Sequence, residues 1–391
     1  MGFNERVQFY KRIEKIRKRP LILYVTSLRN NASGQMGADV IPYFCKQIEK
    51  IPVACKQVDL LIVSNGGDPI VSWRIMSLLR ERFDNVAVLL PYQAYSAATL
   101  LTLGADEIIM HPFSNLGPVD PQLTYFKSIP GQAEPQKVAF GAEDLRHYID
   151  FVVKDVGISD QEQKERAFQL VCNEVGAIPI GVAKRSSNLG LSLGEKLLKL
   201  HIKDDQNKVK AISESLNKSF YHHGYSVGRK EALEIGLPVH PDHTPALNEI
   251  EELIWKIWID IEYEMQCNIS FNPFDVVMRD PTLAAQIRPV PQVQLPANLP
   301  QAILQNVLNQ ILQQIQTVAT QPVDYELFQA ALESIRERSE YRTTGFINAI
   351  RLPDMKIKIN VTPTFSNWNA IPIVAEETTD VGEVATGGDL I

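Results

Sequence analysis

VDLLIVSNGGDPIVSWRIMSLLRERFDNVAVLLP, residues 58–91, divides into an apolar strand, a glycine turn, a helix and a second apolar strand. The strands VDLLIVS (58–64) and NVAVLLP (85–91) are continuous apolar runs without polar alternation. Such runs mark strands buried on both faces, as in a parallel sheet covered by helices. The same pattern extends outward. LILYVT (21–26) predicts an earlier strand and DEIIMHP (106–112) a later one. ADVIPYFCKQIEK (38–50) predicts a helix with Pro42 in its first turn, where proline is tolerated. From about 143 to 216 the chain reads as helical, and GRKEALEIGLPV (228–239) as a short helix closed by Gly236. The fold class is α/β.

At 391 residues the chain is long enough for two or three domains. A net charge of −7 argues against a nucleic-acid partner, which needs a basic surface. Cys45, Cys55, Cys172 and Cys267 lie far apart, without metal-type spacing, and read as reduced thiols. No metal and no cofactor is expected. The first 19 residues lack the apolar core of a signal peptide, and no run approaches 18 apolar residues. The expectation is a cytoplasmic chain with no membrane span. Lys11, Arg12, Lys15, Arg17, Lys18 and Arg19 predict the solvated face of a basic N-terminal helix over 1–19.

Two features carry chemistry. Gly66 and Gly67 directly follow a strand, where glycine lets the backbone turn sharply and come close to a ligand. Some thirty residues on, PYQAYSAATLLTLGAD (91–106) sets Ser96 among small residues just ahead of an apolar helix. Free N–H groups at a helix start favour developing negative charge. Alone, the serine reads as a helix cap and the glycines as a turn. Together they suggest an acyl-transfer site: Ser96 as nucleophile, with an oxyanion hole from Gly66 or Gly67 and Ala97.

The order LLIVSNGGDP, AYSAATLLTLGADEIIM, SNLGPVDPQ and GRKEALEIGLPV resembles the Clp-type serine peptidases. Within them it is most similar to the serine dehydrogenase proteinase branch, related to signal peptide peptidase A and the crotonases. The resemblance covers about residues 20–240. It implies a crotonase-like spiral of ββα units, assembly into homo-oligomers, Ser96 as nucleophile and the Gly66–Gly67 turn as oxyanion donor. Members of the superfamily use a Ser-His-Asp set or a Ser-Lys dyad. Here Asp120 occupies the neighbourhood of the Clp histidine, and YHHGYS (221–226) brings His222 and His223 where the Clp acid lies. The resemblance therefore implies His223 as base with Asp120 orienting it, or Lys137, at the spacing of the signal-peptide-peptidase lysine.

Imidazole is available as a neutral base near pH 7, with an ordinary pKa of ~6.5. A lysine base must be lowered by roughly 3 units. Glu134 beside Lys137 would raise it instead. His223 thus ranks ahead of Lys137. The remaining histidines have no metal-type spacing. The resulting expectation is an ATP-independent serine endopeptidase acting on peptide or protein segments bound in extended form. Two other readings stay open: crotonase-type acyl-CoA chemistry with a carboxylate base, and a Clp-like scaffold that has lost catalysis.

The peptidase domain is expected over 20–244. Residues 245–375 read as a helical and β extension, a candidate interaction module. It contains a helix over 245–270, the proline-rich RPVPQVQLPANLP (288–300), an uncharged amphipathic helix over 301–319 and the alternating strand MKIKINVTP (355–363). The acidic tail 376–391 reads as disordered.

Overall fold

Helix α1 (Phe3–Arg17) leads into β1 (Leu21–Thr26), α2 (Ile41–Glu49), β2 (Gln57–Val63), α3 (Pro69–Arg82) and β3 (Asn85–Leu90). The short strand β4 (Gln93–Ala94), helix α4 (Ala97–Leu103) and strand β5 (Glu107–Met110) follow. The computed structural model describes residues 2–119, 122–127, 135–218, 224–241, 244–287, 300–314, 317–353 and 356–373. Strands β1, β2, β3 and β5 pair in parallel in that order. Their side chains alternate between two cores. Ile22, Tyr24, Leu60, Ile62, Val86 and Val88 face α2, α3 and α4, while Leu23, Val25, Leu61, Val63 and Leu89 face the opposite side. Burial on both faces explains the unbroken apolar runs. Local chemistry fixes the helix starts. Asp68 accepts from the Ile70 N–H at 2.9 Å with Pro69 opening α3, and Pro42 lies in the first turn of α2.

After β5 come β6 (Asn115–Leu116), the hairpin β7 (Gln122–Lys127) and β8 (Gln136–Gly141), and helices α5 (Ala142–Asp150), α6 (Gln161–Val175), α7 (Ala177–Leu198) and α8 (Gln206–Lys218). Strand β9 (Val227–Gly228) and helix α9 (Arg229–Ile235) complete this part, and α9 is closed by Gly236 at φ 99°. Strands β4, β6 and β9 form a small second sheet.

The C-terminal third is built into the same body. Helix α10 (Pro245–Glu264), capped by Thr244, buries Ile254, Ile257, Trp258 and Ile261 on the second face of the parallel sheet, beside Tyr10 and Ile13 of α1. Helices α11 (Pro273–Met278), α12 (Pro281–Ile287) and α13 (Gln301–Gln314) follow, then β10 (Val318–Ala319), β11 (Val323–Glu333), β12 (Arg338–Arg351) and β13 (Ile357–Ile371). Strand β11 pairs antiparallel with β1, so the main sheet runs β12-β11-β1-β2-β3-β5 with β13 on β12. Within the span 245–375, read from sequence as a helical and β extension, α10 shares a core and β11, β12 and β13 share a sheet with the N-terminal part. The alternating strand is present as β13 and is mostly exposed. Among the described residues no helix is long and apolar enough to cross a membrane.

The basic N-terminal helix is only partly solvated. Arg17 donates to Asp59 at 2.9 Å and to Glu107 at 2.6 Å, and Arg19 lies against the same acids. Arg6 is fully buried. It reaches Asp260 and Glu264 of α10 and Glu333 of β11, and Tyr10 Oη donates to Glu333 at 2.7 Å.

Two histidines outside the candidate site serve packing. His111 stacks on Trp255, 4.7 Å between centroids, and His201 Nε2 meets the Leu103 carbonyl at 3.0 Å. Burial lowers both pKa values, helped at His111 by Arg229. A histidine with a depressed folded pKa contributes stability above its unfolded pKa, ~6.5, and loses it as pH falls. The urea midpoint is therefore expected to drop between pH 7.5 and 5.5, and less so in His201→Asn. An identical slope in the variant would contradict this.

Candidate active site

The site lies at the carboxyl end of the parallel sheet, where β2 and β3 release their chains. Beyond Val63 the backbone passes through Ser64 into Gly66 (φ 97°) and Gly67 (φ 153°). Only glycine fits here, for two reasons. The conformation is left-handed, and both positions are crowded by backbone. A Cβ on Gly66 would lie 2.6 Å from the Tyr95 carbonyl oxygen and 2.9 Å from both Ala97 N and Ser96 Cβ. One on Gly67 would lie 2.5 Å from the Met36 carbonyl oxygen. The turn is clamped from both sides. Met36 N–H donates to the Gly66 carbonyl at 2.9 Å and Asp68 N–H to that of Met36 at 3.0 Å. Across the turn, Ser64 N–H donates to Gln93 and Tyr95 N–H to Ser64.

Ser96 stands at the head of α4 with φ 53° and ψ −115°. These angles belong to the first central position of a type II′ turn, which glycine normally takes. A serine held there costs about 1–3 kcal/mol, which the surroundings must enforce. Thr99 does part of this, its single hydroxyl proton lying between the carbonyls of Ala94 at 2.7 Å and Gly117 at 2.8 Å. Ser72 Oγ holds the Ala97 carbonyl, and Gly117 leaves room for the Tyr95 ring, which a Cβ would meet at 2.6 Å. The Ser96 side chain makes no capping hydrogen bond. Its hydroxyl, half-buried, is left for other chemistry.

The two glycines differ. Gly66 N–H donates to Ser64 Oγ at 3.0 Å, and that hydroxyl also contacts Thr26 Oγ1 at 2.7 Å. Its amide is therefore engaged, and its role is the close approach to Ser96. The amides of Gly67 and Ala97 have no partner among the described residues. Asp120, His222 and His223 lie outside the described residues. Lys137 is on β8 opposite Phe126, and its side chain is likewise outside them. The Ser64–Thr26 pair and the Thr99 brace had no sequence signal, because hydroxyls of this kind are common in strands and helices.

An alanine at 66 is expected to lower kcat/KM by about 100-fold, the scale of an ångström-level misplacement of reacting groups. Thermal unfolding measured beside the kinetics separates this from general loss of fold. Unchanged kinetics would remove the glycine turn from the site.

Residues 7–137 match the family of ClpP-like SDH-type serine proteinases. That span contains Gly66, Gly67, Ser96 and Ala97. Two uncharacterized proteins of Methanocaldococcus jannaschii are similar beyond the family's span. One is 29% identical over 184 residues, 47% of this chain and 54% of its own. The other is 26% identical over 196 residues, 50% of this chain and 56% of its own. The chain thus spans about half the length of these curated relatives. Among solved structures, a serine-to-alanine mutant of the 1510-N membrane-bound stomatin-specific protease is 14% identical, with a TM-score of 0.33 over 59% of this chain and 84% of that one. ClpP1 from Listeria monocytogenes is 11% identical, with a TM-score of 0.30 over 61% and 97%.

Proposed function

We propose that the chain is a serine endopeptidase in which Ser96 attacks the peptide carbonyl and the amides of Gly67 and Ala97 receive the oxyanion. The observation that carries this is the conformation of Ser96. A serine with left-handed φ at a strand-to-helix turn, pressed against a positive-φ glycine and making no cap, has the form of an exposed nucleophile. Two unengaged amides close by suit the tetrahedral intermediate, each worth ~10²–10³ in rate.

In this reading His223 takes the Ser96 proton and Asp120 orients the imidazole. Support comes from the neighbouring described chain. Asn115–Leu116, just before Asp120, pairs antiparallel with Val227–Gly228, just after His223. The same strand pairs in parallel with Gln93–Ala94, which leads into Ser96. Tyr95 Oη lies 2.8 Å from Ser226 Oγ. Lys137, the alternative base, belongs to a hairpin whose described packing is on α5 and α7. Substrates would be peptide segments in extended form, cleaved without ATP by a homo-oligomer in the cytoplasm. An alkyl fluorophosphonate probe followed by peptide mass spectrometry tests the nucleophile. Labelling of Ser96 is expected. A folded protein that takes no label favours the non-catalytic scaffold, and thioester turnover surviving in Ser96→Ala favours acyl-CoA chemistry.

A further inference from the structure

A cavity of about 370 Å³ lies between the loop after β1 and the face of β11, β12 and β13, with Gln35, Asp39, Gln329, Tyr341, Thr343 and Trp368 among its walls. We propose that it is a subsite for a cationic side chain, lysine or arginine, of the extended peptide whose scissile bond lies at Ser96. The inference rests on the peptidase reading and adds a substrate preference to it.

Location is the first argument. Gln35 and Gly37 line the cavity and flank Met36, whose backbone clamps the Gly66–Asp68 turn. The cavity therefore opens beside the end of β1, one strand over from the glycine turn, on the sheet edge where ligands of open α/β folds bind. Strands lie ~4.8 Å apart and an extended peptide rises ~3.3 Å per residue. One to two strand spacings from the glycine turn therefore correspond to about two or three residues of extended peptide.

The walls are fixed in place. The β11–β12 register shifts between Phe328 and Ala330, leaving Gln329 as a bulge. Bulges commonly re-aim a side chain beside a site. Ser27 N–H donates to the Gln329 carbonyl at 2.7 Å, and a Cβ on Gly34 would lie 1.9 Å from that oxygen, so loop and bulge touch backbone to backbone. Thr343 Oγ1 donates to Gln329 Oε1 at 2.6 Å and sets the amide.

The lining chemistry selects the charge. Trp368 is held by Tyr341, 5.8 Å between centroids, and by Tyr43 at 5.5 Å. Asp39 is the one charged side chain among the described lining residues, and it has no ion pair or hydrogen bond among the described residues. Burial first, and then the Asp39 carboxylate, raise the pKa of the Tyr341 phenol. An aromatic wall facing a lone carboxylate favours a cation over a neutral or acidic group. Solvent access at Asp39 lets a lysine or arginine head stay partly hydrated while its stem packs on the rings.

Two readouts test the subsite and the peptidase reading separately. Fluorogenic peptides carrying lysine or its uncharged isostere norleucine at each position around the cleaved bond give kcat/KM ratios. Anisotropy with the Ser96→Ala protein gives the binding ratio for the same peptides. A preference for lysine of about tenfold at one position is expected. It should fall towards one in Asp39→Asn and turn towards glutamate in Asp39→Lys. Cleavage with no lysine preference, or with one untouched in Asp39→Asn, overturns the subsite alone. Lysine-selective binding without cleavage keeps the subsite and removes the peptidase. Neither cleavage nor selective binding overturns both.

Discussion

Peptide hydrolysis by the Ser96→Ala protein is expected to fall by about 10⁵- to 10⁶-fold, the loss seen when a serine hydrolase is deprived of its nucleophile. The expectation follows from the surroundings of this residue. Tyr95, Ala97, Gly66 and Thr99 fix its backbone, while its hydroxyl caps nothing. Alanine keeps the strained φ of 53°, so stability should hardly change. Glycine at 96 would relieve that strain, and the variant should be more stable by about 1–3 kcal/mol while equally inactive. Increased stability with lost activity is the signature of a position strained for its chemistry. Hydrolysis surviving in Ser96→Ala at more than a few per cent of the original rate would end the proposal.

Arg6→Met is expected to cost about 3–5 kcal/mol of unfolding free energy, a large share of a typical total. Burial alone would disfavour the charge on Arg6, but Glu333, Tyr10, Glu264 and Asp260 outweigh it and hold the guanidinium protonated. Removing the arginine takes away the cation that Asp260 and Glu264 of α10 share with Glu333 of β11, and Arg338, 3.8 Å from Glu333, compensates only part of that charge. A second change, Glu333→Gln, removes one of the carboxylate charges and should restore part of the loss. Urea unfolding of the two proteins measures both. A single variant as stable as the parent would show that the acids find water or another cation.

What sequence made legible was set by locality. The strands β1, β2, β3 and β5 announce themselves because burial on both faces leaves only apolar residues in short windows. Pro42 and Gly236 mark helix ends through their own backbone chemistry. Ser96 and the glycine pair stood out because small residues cluster where backbones touch. Arg6 gave no such signal. It sits in a helix rich in basic residues, and its partners Asp260 and Glu333 are 254 and 327 positions away. The mating of β11 with β1 was equally hidden, since strand pairing over such a separation depends on which edge is open rather than on composition. The Gln329 bulge shows only once β11 and β12 are in register. Asp120 and His223 lie outside the described residues, so the base rests on sequence and on the strands that flank it.

The partnership of β1 with β11 sets a timetable for synthesis. Roughly 300 residues separate the two strands, so a ribosome adding ~5–20 residues per second completes β11 on the order of 15–60 s after β1 has emerged. Throughout that interval the nascent chain carries a bare hydrogen-bonding border on its first strand. Any fragment trimmed to the family's matched span would keep that border permanently, and would invite aggregation at the edge that β11 otherwise closes.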